Sequence, residues 1–216
     1  MAQPEEIPYL GGVGETEPTS DQAIIMLTTG RSGSSMFAGI FHHHGVFTGR
    51  NQAGDKFNEK GHFENLDIKI RMKNRFGFDL LGSFPEYDPD WSSQVNTILH
   101  QQGYRGGPWL MKTGALYYNI WQDYRPKFLK VRRNIDSILA SYQGTFYLKS
   151  KYTPEEIEKI IRRQMDLLHT LPGCWLDYEL ALKGDFSQLE DAFIWCGLSF
   201  DPGIADSFID TTLRHF

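Results

Sequence analysis

The 216-residue sequence is poor in three features that would each indicate a particular class of protein. Its two cysteines, Cys174 and Cys196, are too few for a disulfide-rich scaffold, and their apolar surroundings are typical of core thiols in a reducing compartment. The pattern offers no positive support for a disulfide between them. No apolar run approaches the roughly 20 residues needed to span a bilayer. Acidic residues (27) outnumber lysine and arginine (22), and the net charge of −5 argues against general nucleic-acid binding. We therefore expect a soluble, cytoplasmic protein without a membrane or nucleic-acid partner.

The chain also lacks internal repeats, heptads and low-complexity tracts. Residues 1–22 are acidic and rich in turn-forming residues, which is typical of neither a signal peptide nor an anchor. We expect them to form a flexible N-terminal arm. Residues 23–216 are long enough to bury a full core, and the composition (40% hydrophobic, 23% charged) is ordinary for a globular protein. They are predicted to form one domain.

Strand-like and helix-like segments alternate along the chain. Apolar runs of strand length occupy residues 23–28, 109–112, 127–131 and 174–178. Helical patterns occupy residues 36–44, 65–75, 92–102, 134–142 and 186–196, and one more helix is predicted to begin at Thr153 with a capping box. This order predicts a three-layer α/β fold with a mainly parallel central sheet and helices on both faces. Residues 82–107, rich in proline, glycine and aromatics, are expected to be an insertion between core elements.

The segment after the first strand, residues 28–35, reads TTGRSGSS and is the first candidate site. A loop between a buried strand and a helix points backbone N–H groups at an anion. Its candidate ligand-binding residues combine backbone freedom, a positive charge and hydroxyl groups; they are Gly30, Arg31, Ser32, Gly33, Ser34 and Ser35. The alternative is a glycine-rich turn with no ligand. The loop is not a Walker A motif, because no lysine follows the glycines, so the site is P-loop-like only.

A second candidate site follows the strand at residues 127–131. Arg133 stands at the carboxyl edge of the predicted sheet, where open α/β sheets bind ligands. Ser141 lies eight positions further on, about two helical turns away, and so near the same face. An arginine and a serine in this arrangement could bind a second phosphate. Alternatively, Arg132 and Arg133 pair with surface acids and Ser141 is an ordinary helix residue.

Together the two sites resemble those of sulfotransferases that use 3′-phosphoadenosine-5′-phosphosulfate (PAPS). In that family the loop for the 5′-phosphosulfate reads Lys or Arg, then Ser-Gly, then two Ser or Thr, and residues 31–35 match it throughout. The family's 3′-phosphate motif begins with arginine and ends with serine eight positions later. Residues 133–141 match it except that Ile135 replaces a proline. The resemblance implies that Arg133 and Ser141 bind the 3′-phosphate.

Three further segments are similar to family segments and occur in the same order. Residues 109–113 (WLMKT) resemble a strand that ends in Lys-Thr, and residues 61–65 (GHFEN) resemble a segment of bacterial members. Residues 176–179 (LDYE) resemble a segment whose tyrosine, here Tyr178, lies near the adenine. The resemblance implies transfer of a sulfuryl group from PAPS to a hydroxyl of a small, partly apolar acceptor. The product nucleotide is 3′-phosphoadenosine-5′-phosphate (PAP), and no metal is required.

The chain departs from the cytosolic members where they carry their catalytic histidine, because Gly114 stands there. Their C-terminal Arg-Lys-Gly segment also has no counterpart. His62 and Glu64 would point to the same side of an extended segment. Golgi carbohydrate sulfotransferases use a glutamate from the corresponding region, which favours Glu64 as the base, with His62 second or as its hydrogen-bonding partner. Alternatively, Glu64 only caps the next helix. Arg31 and Lys112 are the predicted charge stabilisers.

Residues 42–44 are three consecutive histidines, which could suggest a metal site. Consecutive residues diverge around a helix, so no metal site is predicted. The acceptor pocket is expected to draw on residues 47–62, 78–107 and 146–153. Its aromatic candidates are Phe57, Phe84, Tyr87, Trp91, Tyr147 and Tyr152.

The rival functions are a small-molecule kinase with a P-loop-like site and a non-catalytic PAPS- or PAP-binding module.

Overall fold

The computed structural model describes residues 23–55, 58–77, 84–143 and 152–210. Its strands are β1 (Ala23–Thr28), β2 (Trp109–Gly114), β3 (Lys127–Arg132) and β4 (Cys174–Asp177). Its helices are α1 (Ser34–His43), α2 (Leu66–Phe76), α3 (Trp91–Gln101), α4 (Ile135–Gln143), α5 (Pro154–Thr170), α6 (Tyr178–Leu182), α7 (Ser187–Trp195) and α8 (Pro202–Phe208), with a 3₁₀ helix over Ala115–Tyr124. The strands form one parallel sheet in the order β2-β1-β3-β4.

The central strand β1 is buried on both faces, as its unbroken apolar sequence predicts. Ala23, Ile25 and Leu27 pack against one layer, which contains α2, α3 and the 3₁₀ helix. Ile24 and Met26 pack against the other layer, which contains α1, α7 and α8. Successive side chains of a strand alternate between faces, so one short segment contributes to two cores. The predicted three-layer α/β fold is confirmed.

Parallel pairing brings the carboxyl ends of the strands to one edge of the sheet. Thr28 of β1 lies opposite Gly114 of β2, and Arg132 of β3 lies opposite Asp177 of β4. The chain crosses to one side of β1 for β2 and to the other side for β3. Open α/β sheets bind ligands outside the carboxyl ends, at such a reversal of strand order. The loop that follows β1 therefore occupies the ligand-binding position of this fold.

The region over residues 82–107 differs from its prediction as an insertion. Trp91, Val95 and Leu99 of α3 are buried in the same core cluster as Trp121 of the 3₁₀ helix. The 3₁₀ helix itself begins after Gly114 without a side-chain cap within the described chain, so the sequence carried no start signal for it. The short helices α6 and α8 were also not predicted, because five to seven residues show too little periodicity.

The predicted start of α5 is confirmed. Thr153 Oγ1 accepts a hydrogen bond from the Glu156 amide (3.2 Å), and Glu156 Oε2 accepts one from the Thr153 amide (2.8 Å), which completes a capping box. Both cysteines are free thiols. Burial, reinforced by neighbouring Cys174, raises the pKa of Cys196 to about 12. No helix within the described ranges is long and apolar enough to cross a membrane.

Candidate active site

The loop between β1 and α1 curves tightly. Gly30, Arg31 and Gly33 have φ angles of 73°, 52° and 83°, in the left-handed region that glycine tolerates best. A Cβ at Gly30 would collide with the hydroxyl of Tyr142, and one at Gly33 would collide with the ring of Tyr178. Both positions therefore exclude a larger residue on steric as well as conformational grounds. The backbone at these two glycines approaches the side chains of Tyr142 on α4 and Tyr178 on α6.

Hydroxyl groups hold this loop in place. Thr28 Oγ1 lies 2.6 Å from Ser32 Oγ and accepts a hydrogen bond from the Gly30 amide (3.0 Å). The Tyr142 hydroxyl donates to the Thr29 carbonyl (2.8 Å). Among the described residues no side chain caps the first turn of α1, which Ser34 begins. Its leading amides therefore have the arrangement that binds anions at helix N-termini.

Arg31 connects the two predicted phosphate sites. Its Nε donates to Ser141 Oγ (2.8 Å), and its carbonyl accepts from Arg133 Nη1 (3.1 Å). The Arg133 guanidinium lies 4.6 Å from the centre of the Tyr178 ring. Burial lowers the pKa of the Arg31 guanidinium, although arginine is effectively always protonated in proteins. The residues predicted from two distant motifs thus form one cationic cluster.

Lys112 connects the first loop to a second cluster. It lies on β2 and is only 4% exposed. Its Nζ donates to Ser35 Oγ (2.6 Å) and lies 3.1 Å from Glu64 Oε1. Lys69 of α2 forms an ion pair with the other carboxylate oxygen of Glu64. Burial lowers the pKa of Lys112, and Glu64 acts against this effect, so the carboxylate favours the charged form of Lys112 beside the loop.

Glu64 is held as an ionised counter-ion. Burial raises its pKa, but Lys112 and Lys69 outweigh burial and lower the pKa to about 2. A general base works best when its pKa is near the working pH, so Glu64 in this arrangement is a weak proton acceptor. The alternative role as a helix cap is wrong. Asn65 caps α2 instead, because its side chain accepts the Ile68 amide (3.3 Å).

His62 contacts a different carboxylate from the one expected. Its Nε2 lies 3.0 Å from Asp55 Oδ2. Phe63, between His62 and Glu64, has a φ of 50°, which breaks the extended geometry on which their shared direction was predicted. His62 therefore bonds Asp55, while Glu64 bonds the two lysines.

The segment that carries both candidates folds back on the chain that precedes it. The Gln52 amide donates to the Glu64 carbonyl (3.3 Å), and the His62 amide donates to the Gln52 carbonyl (3.2 Å). Asn51 and Asn65 form an antiparallel bridge at the open end. Asp55 is thereby brought beside His62. Glu64, at the end of this fold-back, contacts Lys112, which bonds Ser35, so the fold-back lies near the loop.

The three histidines at the end of α1 have separate partners. His42 Nδ1 lies 2.9 Å from Thr48 Oγ1, and His43 packs against Phe208 at 5.0 Å between ring centres. His44 Nδ1 bonds the Ile40 carbonyl, and its Nε2 accepts the Asp201 amide. The described part of the chain holds no group of three or more His, Cys, Asp or Glu side chains arranged for a metal ion.

The aromatic residues expected to line the acceptor pocket divide into three groups. Trp91 is fully buried and so belongs to the core rather than to a pocket wall, whereas Tyr152 is 8% exposed. Phe84 and Tyr87 are exposed; Arg163 lies over the Phe84 ring at 4.5 Å, and Tyr87 donates to Asp123. Phe57 and Tyr147 lie outside the described residues.

One solved structure with a similar fold is a sulfotransferase domain. The sulfotransferase domain from the curacin biosynthetic pathway superposes with a TM-score of 0.50 over 84% of this chain and 75% of that one, at 14% identity. This chain has a sulfotransferase-domain fold. The sulfotransferase domain of the Synechococcus PCC 7002 olefin synthase gives a TM-score of 0.46 over 88% and 78% of the two chains, at 16% identity. No protein-family profile and no curated protein sequence matches the chain.

Sequence reasoning missed three residues of this site. Tyr142 directly follows the motif that ends at Ser141, and its position after a serine predicted to bind phosphate was the available signal. Lys69 is one of several lysines on α2, and nothing in the pattern distinguishes it as the partner of Glu64. Asp55 lies in a polar loop whose fold-back on His62 has no sequence signature.

Proposed function

We propose that this chain transfers a sulfuryl group from PAPS to a hydroxyl of a small acceptor and releases PAP. The position of Arg31 is the observation that carries the proposal. It bonds Ser141 through its side chain and Arg133 through its carbonyl, so the two motifs that resemble PAPS-binding segments meet at one point. That point lies at the carboxyl edge of a sheet with the fold of a sulfotransferase domain.

In the proposed complex the donor spans the cationic cluster. The first amides of α1, with Ser34 and Ser35, receive the 5′-phosphosulfate, because helix N-termini favour anions. Arg133 and Ser141 receive the 3′-phosphate. The Tyr178 ring, which packs on Gly33 and under Arg133, lies beside the adenine.

The proposed chemistry moves one sulfuryl group and one proton. The acceptor oxygen bonds to sulfur while the bond from sulfur to the 5′-phosphate oxygen breaks, and the electron pair of that bond stays on PAP. Arg31 and Lys112 offset the developing negative charge. Lys112 already contacts Ser35 of the loop, so a small movement of its Nζ would reach a bound sulfuryl group. The acceptor's proton goes to the segment that contains His62 and Glu64.

A comparison of two nucleotides tests the donor site. We expect PAP to bind more tightly than 5′-AMP by about 2–4 kcal/mol, or roughly 30- to 900-fold, because only PAP offers the 3′-phosphate to Arg133 and Ser141. Isothermal calorimetry measures both affinities. Ser141→Ala should narrow the difference, whereas Ser137→Ala, one helical turn earlier on α4, should leave it intact. Equal affinities for the two nucleotides in the unmodified protein would contradict the assignment.

Two further measurements separate this function from its rivals. In a thermal-shift panel PAPS and PAP should raise the melting temperature, because a ligand that binds only the folded state stabilises it. ATP with magnesium should not, whereas a kinase would give the opposite result. Sulfur-labelled PAPS incubated with alcohols, phenols, lipids and sugars should label a small, partly apolar acceptor. PAP binding without labelling of any of these would favour a non-catalytic binding module.

A further inference from the structure

Asp55 and His62 form a hydrogen-bonded pair at the edge of the proposed site. Asp55 Oδ2 lies 3.0 Å from Nε2 of His62, and the imidazole is 18% exposed. An ionised carboxylate only accepts hydrogen bonds, so Nε2 carries the hydrogen and Nδ1 presents its lone pair. The pair therefore selects one tautomer of His62 and leaves one defined nitrogen able to take a proton.

The backbone around His62 is fixed on two sides. The His62 amide donates to the Gln52 carbonyl, and the next residue, Phe63, is held in the left-handed region. Phe63 is 8% exposed, and its ring centre lies 5.8 Å from that of Phe208. The Phe63 ring packs over Gly39 of α1. A left-handed non-glycine residue persists only where the surrounding contacts determine it. His62 is thus presented from a rigid turn that is packed on the helix following the loop.

Glu64, two residues further on, is engaged elsewhere. Its carboxylate lies between Lys112 and Lys69, and Lys112 in turn contacts Ser35 of the loop. Taking up a proton would cost Glu64 its interaction with both ammonium groups and would leave Lys112 buried without its counter-ion. Glu64 therefore positions charge, and His62, which bonds Asp55 instead of the lysines, is better suited to accept a proton.

We propose that His62 Nδ1 accepts the proton of the acceptor hydroxyl and that Asp55 is a positioning residue that fixes the His62 tautomer. This inference rests on the proposed sulfuryl transfer. As the acceptor oxygen bonds to sulfur, its proton moves to Nδ1, and the bond from sulfur to the 5′-phosphate oxygen breaks with its electron pair retained by PAP. Asp55 stays ionised and stabilises the imidazolium, which then releases the proton to water.

The test compares the kcat of variants with that of the unmodified protein at saturating labelled PAPS. The acceptor is the alcohol or phenol that is labelled best in the incubations described above. His62→Asn should lower kcat by about 10²–10⁴-fold, the usual contribution of a general base, while PAP affinity stays within a fewfold. Asp55→Asn should lower kcat by about 10- to 100-fold with little change in KM, and Asp55→Glu should recover part of the loss. Glu64→Gln should lower kcat about tenfold, because Lys112 loses its counter-ion. The controls His100→Asn and Asp166→Asn, both exposed and distant in sequence from the pair, should leave kcat unchanged.

A second readout does not depend on activity. Long-range ¹H–¹⁵N correlation spectra should show His62 as the Nε2–H tautomer in the unmodified protein and as a mixture of tautomers in Asp55→Asn. An Nδ1–H tautomer in the unmodified protein would overturn the proposal. So would a His62→Asn variant that turns over normally while Glu64→Gln is inactive. If the unmodified protein binds PAP no better than 5′-AMP and labels no acceptor, the proposed function itself fails, which is a distinct result.

Discussion

The two sides of the candidate site are built in different ways. The donor side, comprising residues 28–35, 133, 141 and 178, stands directly on strand ends and helix starts of the central sheet. The hairpin side, residues 51–55 and 58–65, lies between core elements and contacts the donor side through Lys112. The donor side depends on backbone shape, with Gly30 and Gly33 in positions that exclude a Cβ. The hairpin side depends on paired charges, which are more sensitive to pH and more tolerant of changes in shape.

The largest effect should come from the residue at the centre of the donor side. Arg31→Ala removes the side chain that bonds Ser141 and a positive charge next to the proposed sulfuryl group. We expect kcat to fall about 10²- to 10³-fold even at saturating PAPS, because the lost interaction is strongest in the transition state. Steady-state kinetics measures this, with Arg50→Ala as the control, since Arg50 is 62% exposed and belongs to neither side of the site. An unchanged kcat with only a raised KM would show that Arg31 serves binding alone.

On the hairpin side, acid should remove the stabilisation that Glu64 provides. Its pKa is lowered from 4.5 to about 2 on folding, since Lys112 and Lys69 outweigh burial. A carboxylate whose pKa is lowered on folding stabilises the protein above its unfolded pKa and loses that contribution as pH falls towards the folded value. The full contribution is up to about 3 kcal/mol, of which about 2 kcal/mol should be lost between pH 6 and pH 3.

Urea unfolding at these two pH values measures the loss. Glu64→Gln should show an acid sensitivity about 2 kcal/mol smaller than that of the unmodified protein, because it has no proton to take up at this position. Glu190→Gln, an exposed substitution on α7, is the control and should follow the unmodified protein. The same acid sensitivity in Glu64→Gln and the unmodified protein would show that Glu64 is not paired in solution.

A pair of glycine substitutions tests whether the donor side depends on shape. Gly33 and Gly45 have nearly the same φ (83° and 86°), but a Cβ at Gly33 meets the Tyr178 ring whereas one at Gly45 meets nothing within 4 Å. Gly45→Ala should cost about 1 kcal/mol of unfolding free energy for backbone strain alone. Gly33→Ala should cost about 1–3 kcal/mol more through overpacking, and should weaken PAP binding. Equal losses in chemical unfolding would mean that Tyr178 moves aside freely.

The elements that the sequence predicted well are those with a strong local signal. β1 was located to the residue because its five consecutive apolar side chains, followed by Thr28, must be buried on both faces. The start of α5 followed from a capping box, which operates within four residues. The position of α3 in the core was missed, since the contact of Trp91 with Trp121 joins residues far apart in the chain.

The candidate site likewise contains contacts that the sequence could predict and contacts that it could not. The meeting of residues 31–35 with Arg133 and Ser141 could be anticipated because strand ends in a parallel sheet converge on one edge. The partners of Glu64 and His62 could not be anticipated. Phe63 adopts a left-handed conformation that a phenylalanine shows rarely, so an extended reading of residues 62–64 placed both side chains on one side.

The sequence by itself determined the α/β architecture, the strand ends that carry the two candidate motifs and the glycines that let the first loop curve. These depend on local periodicity and backbone preference, which are properties of neighbouring residues. Only the tertiary structure decided that Glu64 faces Lys112 and Lys69 and that His62 faces Asp55. Charge pairing acts through space and is set by how the hairpin side packs on α1 and β2. The Glu64 carboxylate therefore pairs with two lysines, whereas the His62 imidazole, two residues away, pairs with a carboxylate.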